Sequence, residues 1–127
     1  MENDLTKKKT LIVGVSQNTS RYAYSATEML QEHKVPFVPI GINKGEVFGK
    51  KIKNLREKPE ISNVHTVTLY INPEHQKEWE DYLISLKPKR IIFNPGAENQ
   101  AFAEKARKEN IEVKNACTMV MLSTDQF

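Results

Sequence analysis

Residues 10–16 read Thr-Leu-Ile-Val-Gly-Val-Ser, an apolar run of strand length that stops at Gly14 and Ser16 before a segment of helical spacing. The run has no alternation of apolar and polar residues, so it reads as a strand buried on both faces. A strand of that kind needs helices packed on both sides, which restricts the chain to an α/β architecture. In an open sheet, the turn from such a strand into its helix is where an anionic ligand docks on a helix N-terminus.

The rest of the chain keeps alternating. Residues 20–32 have helical spacing, with Tyr22, Ala26, Met29 and Leu30 on one stripe and Ser20 as the N-cap. Residues 35–40 form a second strand, and Pro36 and Pro39 place part of it at a sheet margin or a strand end. Gly41, Gly45 and Gly49 punctuate an irregular stretch with two very short strands around Val47 and Ile52. Residues 55–58 make a helical turn that Pro59 ends. Residues 66–71 are rich in β-branched residues and read as a strand. Pro73 opens a helix that carries Trp79, Tyr82, Leu83 and Leu86 at core-facing spacing. A strand at 90–93, a helix at 99–109 with Phe102, Ala103 and Ala106 inward, a strand at 111–114 and a closing helix within 117–127 complete the order. The expected fold is α/β, a doubly wound, mostly parallel sheet of five to six strands with helices on both faces.

At 127 residues the chain suits a flexible tail over residues 1–9 and one domain over 10–127. No apolar run approaches the about 20 residues of a membrane helix, and the N-terminus has no apolar stretch of a signal peptide. A cytoplasmic location and no membrane partner are the default expectations. The single Cys117 agrees with a reducing compartment. The net charge is only +3, yet six basic and two acidic residues fall between Lys44 and Lys58. That run is either a solvated face or a rim that attracts phosphate groups. The chain lacks an RNA-recognition motif with interleaved aromatics, so no nucleic acid is expected.

Ligands of such sheets sit beyond the C-terminal strand ends, which singles out five loops. Gly14-Val15-Ser16 lets the backbone turn sharply and offers a hydroxyl and free N–H groups to an anion; glycine there equally serves close packing. The loop from Gly41 to Gly45 holds Lys44 but no acidic residue to bind ribose hydroxyls, which counts against NAD; Asn and Gly also make plain turns. Asn72-Pro73 follows the third long strand. Asn94-Pro95-Gly96 is a turn leading to the cap Asn99, or a presentation of Asn94 and backbone amides at a strand end. Cys117 follows the last strand as a buried small hydrophobe or as a nucleophile, and nothing flags a histidine partner for it. His33, His65 and His75 show no metal spacing, and no nucleophile-elbow pattern occurs.

Taken together, Leu11-Ile12-Val13-Gly14-Val15-Ser16, Ile40-Gly41-Ile42-Asn43-Lys44, Gly49, residues 94–99 and Asn115-Ala116-Cys117-Thr118 resemble the small CoA-binding-domain proteins. These are single-domain relatives of the N-terminal domain of the succinyl-CoA synthetase alpha subunit. The resemblance runs from about residue 10 to 122 and implies a Rossmann-like fold with coenzyme A, or an acyl-CoA, as cofactor. It implies that Gly14, Val15, Ser16 and the helix start at Arg21 and Tyr22 hold phosphates, and that Asn43 and Lys44 meet the nucleotide end. It further implies that Ile71, Asn72, Pro73, Asn94, Pro95 and Gly96 line the cleft, with Cys117 near the pantetheine end. The chain departs from the family pattern in three places. No proline separates Asn43 from Lys44, Val15 stands where alanine is commoner, and Ala23 replaces a frequent glycine.

The expected function is a non-catalytic CoA-binding module, regulatory or carrier in role. The chain carries no catalytic constellation and no ligase second domain, so no activity of its own is expected. The alternatives are a subunit or remnant of a CoA-using enzyme that needs a partner chain, and a binder of another nucleotide. A homodimer is open; nothing in the sequence selects it.

Overall fold

The computed structural model describes residues 4–127. A six-stranded, all-parallel sheet runs through its centre. In chain order the long strands are β1 (Thr10–Val13), β2 (Phe37–Gly41), β6 (Thr66–Leu69), β7 (Arg90–Phe93) and β8 (Glu112–Asn115). Between β2 and β6 come three two-residue strands, β3 (Glu46–Val47), β4 (Lys50–Lys51) and β5 (Lys53–Asn54). The spatial order is β5-β2-β1-β6-β7-β8, while β3 and β4 pair antiparallel as a separate hairpin. This is the order of a doubly wound sheet: the chain builds outward from β1 on one side, then returns to β1 and builds outward on the other.

Every residue of β1, β6 and β7 is buried, as expected for strands covered on both faces. Period-two alternation divides them between two cores. Leu11, Val13, Val67, Leu69, Ile91 and Phe93 face the first, with Tyr82 and Leu83 of α3 (Glu80–Ser85) and Phe102, Ala103 and Ala106 of α4 (Gln100–Lys108). Phe93 and Phe102 meet edge to face, 5.4 Å between ring centres. Ile12 and Ile92 face the second, with Ala23, Ala26 and Leu30 of α1 (Tyr22–Glu32) and Met121 and Leu122 of α5 (Thr118–Ser123).

Several local expectations change. α1 starts at Tyr22, not Ser20, and Tyr22 is 77% exposed. The inward stripe is Ala23, Ala26, Thr27 and Leu30, because the N–H and hydroxyl of Ser20 both bond the Asn18 Oδ1 in a turn ahead of the helix. The helix after β6 is two pieces, α2 (Pro73–Gln76) and α3, broken at Lys77–Trp79, although Trp79, Tyr82 and Leu83 are buried as their spacing predicts. β2 begins two residues late because Val35 N–H still bonds Leu30 C=O at the end of α1. Pro39 is buried within β2 opposite Ile12. The N–H groups of Thr10 and Gly14 bond the carbonyls of Pro36 and Ile40, so alternation puts Pro39 on the side facing β5, which pairs only with Ile40 and Gly41. Its missing N–H therefore breaks no ladder bond.

Within the stretch expected as a loose tail, Leu5–Lys7 form a 3-10 turn capped by the Asp4 side chain; residues 1–3 lie outside the described residues. Lys8 Nζ donates to the Phe127 carbonyl, and the Phe127 ring lies 4.5 Å from the Arg90 guanidinium. Arg90 Nε in turn donates to Thr66 Oγ1 at 2.7 Å.

The C-terminal end of β1 holds a close backbone approach. Gly14 has φ +100°, and a Cβ placed on it would lie 2.8 Å from the Tyr70 carbonyl oxygen. Gly14→Ala is therefore expected to cost about 2 kcal/mol or more, from left-handed strain and the forced separation of β1 from the end of β6. Urea unfolding would show it as a lower midpoint at unchanged slope.

A second expected outcome concerns pH. Burial pushes the His65 imidazole below its ordinary range, and Arg90, Lys8 and Lys89 push it further against the pull of Glu112. The unfolded chain thus binds a proton that the native chain resists, and stability falls as pH drops through about 6.5 and below. His65→Gln should flatten that decline between about pH 7 and pH 5 in urea melts.

Candidate functional site

Strand order reverses at β1, so the loops after β1 and β6 diverge and leave a groove between them. Gly14 sits at its floor. Its N–H and that of Val15 both bond the Ile40 carbonyl, at 2.9 and 3.4 Å, which curls the chain toward β2. Gly41 is held closer still, since a Cβ there would overlap the Val15 carbonyl. The first lobe, about 410 Å³, lies between the loops after β1, β2 and β6. A second lobe of about 340 Å³ extends toward the loop after β7. The two share Gly14, Arg21, Tyr70, Ile71 and Asn72, so they form one groove with a waist at the start of α1.

That waist is suited to anions. Arg21 occupies the N-cap position of α1 without a side-chain cap, and the first turn holds no acidic residue. The leading N–H groups of an 11-residue helix thus meet the groove with no side-chain acceptor. The preceding loop is held by its own side chains: Ser16 Oγ accepts from Asn18 N–H at 3.2 Å, and Asn18 Oδ1 from Ser20 N–H at 3.0 Å. A second cation, Arg56, lines the first lobe. Asn54 Oδ1 accepts from Arg56 N–H at 2.9 Å and so fixes the 3-10 turn Leu55–Glu57 that carries it.

The residues singled out from sequence divide three ways. Gly14, Val15, Ser16, Arg21, Asn43, Ile71 and Asn72 line the first lobe, and Tyr22, Pro95 and Gly96 line the second. Asn72 also caps α2, its Oδ1 accepting from Glu74 N–H at 3.0 Å, and Pro73 takes the first helical position behind it. Lys44, Pro73, Asn94 and Cys117 line neither lobe. Lys44 is exposed in the loop beyond Asn43.

Asn94 is fully buried, and its side chain is spent on the protein. Its Nδ2 donates to Thr68 Oγ1 at 2.7 Å and to the Leu69 carbonyl at 3.0 Å, and its Oδ1 accepts from Thr118 N–H at 2.9 Å. It pins α5 to β6 and offers nothing to a ligand. Cys117 is half-buried at the N-cap of α5, beside Tyr70. Burial pushes the Tyr70 phenol well above its ordinary range, with Cys117 adding to the shift; Thr68 and Thr118 pull the other way, but the hydroxyl makes no well-formed hydrogen bond among the described residues.

Sequence reasoning missed Arg56, Tyr70, His75, Glu78 and Trp79, all of which line the first lobe. Arg56 stood in the basic run without being distinguished from its neighbours. Its one signal is Asn54 two residues earlier, which caps the turn beneath it.

Residues 8–123 match the family model described as a CoA binding domain. A crystal structure of an uncharacterized protein superposes with a TM-score of 0.91 at 52% identity, covering 94% of this chain and 98% of its own. A hypothetical protein from Pyrococcus horikoshii gives a TM-score of 0.81 at 25% identity, over 94% of this chain and 85% of its own. A Thermus thermophilus protein gives 0.80 at 21% identity, over 97% and 93%, a likeness of fold. No curated protein matches the chain in sequence. The model match spans the sheet, the glycine floor and the groove above it, and the chain belongs to the CoA-binding domain family.

Proposed function

We propose that the groove binds coenzyme A or an acyl-CoA and that the chain acts as a binding module without chemistry of its own. The observation that carries this reading is the two-lobed groove with its cationic waist. Coenzyme A is a long ligand with phosphates in its middle and at one end. Arg21 and the uncapped start of α1 suit the pyrophosphate. Arg56, near the end of β2, suits the ribose phosphate, a place where a dinucleotide-binding sheet puts an acid for a free diol and an arginine for a phosphate. The second lobe, walled by Ile71 and by residues 95–97, has room for the uncharged arm. Arg56 takes the part that sequence resemblance assigns to Lys44.

Calorimetric titration and thermal melts with CoA, dephospho-CoA, acetyl-CoA, NAD and ATP test the reading. CoA and acetyl-CoA at a hundredfold over their Kd should stabilise the protein by about 2.7 kcal/mol, with smaller shifts from NAD and ATP. Arg56→Ala should weaken CoA by roughly tenfold and dephospho-CoA little, while Lys44→Ala leaves both nearly unchanged. Acetyl-CoA should be recovered intact after incubation. Equal stabilisation by NAD, or none by any CoA species, would sink the proposal.

A further inference from the structure

Gln76, the last residue of α2, is only 1% exposed, and none of its hydrogen-bonding capacity points to solvent. Its Nε2 donates to the Ile71 and Ala97 carbonyls, each at 2.7 Å, and its Oε1 accepts from Asn99 Nδ2 at 3.0 Å. Asn99 Oδ1 then accepts from Phe102 N–H at 3.1 Å and caps α4. Ile71 and Ala97, from the loops after β6 and β7, both line the second lobe, and their carbonyls converge on the one nitrogen. Among the described residues, no other side chain hydrogen-bonds both the loop after β6 and the loop after β7. No direct hydrogen bond joins residues 70–73 to 95–99.

We infer that Gln76 is a positioning residue: it shapes the second lobe by holding the two loops that line it, those after β6 and β7, to one amide. The inference rests on the groove being the ligand site, and it adds how that site keeps its shape. Only a primary amide meets the requirement, two donors for two converging carbonyls and one acceptor for a third group. Without it, the buried Ala97 carbonyl and the part-buried Ile71 carbonyl lose their common donor, and the loops must shift for water to replace it. A carboxylate would face both carbonyls with no proton to give.

Three substitutions and two readouts test this. Gln76→Met keeps the length and removes the donors. It should weaken CoA binding at least about tenfold at temperatures well below its melting point. Asn99→Ala removes the α4 cap but leaves both donor bonds, so it should lower the melting temperature and leave CoA affinity within about twofold. Gln76→Glu should bind CoA poorly near neutral pH and regain affinity on acidification, relative to the wild type over the same range, as the protonated acid donates one bond. Amide hydrogen exchange on the ligand-free proteins supplies a readout that needs no CoA. In Gln76→Met, the amides of residues 70–72 and 96–98 should exchange at least about tenfold faster while β1 is unchanged.

Unchanged exchange in both loops overturns the inference, as does an affinity loss in Asn99→Ala equal to that in Gln76→Met. If the wild type ignores CoA altogether, the proposed ligand is wrong and the exchange comparison alone decides the role of Gln76.

Discussion

The approach of Gly14 to the Tyr70 carbonyl is the constraint on which the rest of the molecule turns. Two parallel strands buried on both faces can pack this tightly only if the residue that leaves the sheet first has no side chain. That requirement fixes where β1 stops, and it bends the chain toward β2, where Ile40 takes the N–H groups of Gly14 and Val15. The same bend lifts the start of α1 over the divergence of β1 and β6. A packing demand in the sheet and an anion-binding geometry above it are thus met by one backbone turn.

Much of the fold is legible in the sequence because its strands are buried on both faces. Continuous apolar runs such as Leu11-Ile12-Val13 and Ile91-Ile92-Phe93 leave little choice of element, and Phe102, Ala103 and Ala106 mark the inner face of α4. What stayed hidden are matters of local hydrogen bonding. Tyr22 sits at helical spacing yet is exposed, because Asn18 and Ser20 close a turn that delays the helix. The break at Lys77–Trp79 leaves the apolar spacing intact, so periodicity carries no trace of it.

The candidate site is legible in outline for a different reason. In a doubly wound sheet ligands dock beyond the C-terminal strand ends, so finding the strands finds the candidate loops. Which side chain within a loop meets the groove is set by tertiary hydrogen bonds that no local pattern encodes. Asn94 looks available at a strand end, yet it is consumed between β6 and α5. Gln76 looks like an ordinary polar residue of a short helix, yet it is buried between two loops. Lys44 and Arg56 are equivalent in a charge count, and only the capped turn at Asn54 brings one of them to the groove.

The basic run also takes on a second meaning from where the sheet ends. β5 pairs with β2 at only two positions, which leaves the outer flank of β2 uncovered by a full strand. Lys50, Lys51 and Lys53 are exposed along this margin, and Lys50 Nζ lies 5.1 Å from the centre of the Phe37 ring on β2. Glu112 and Lys114 are exposed in the same way on β8, the opposite edge. Charges so placed would have to be stripped of water before another strand could add. These edge charges thus work as a fence that keeps the parallel sheet at its own width.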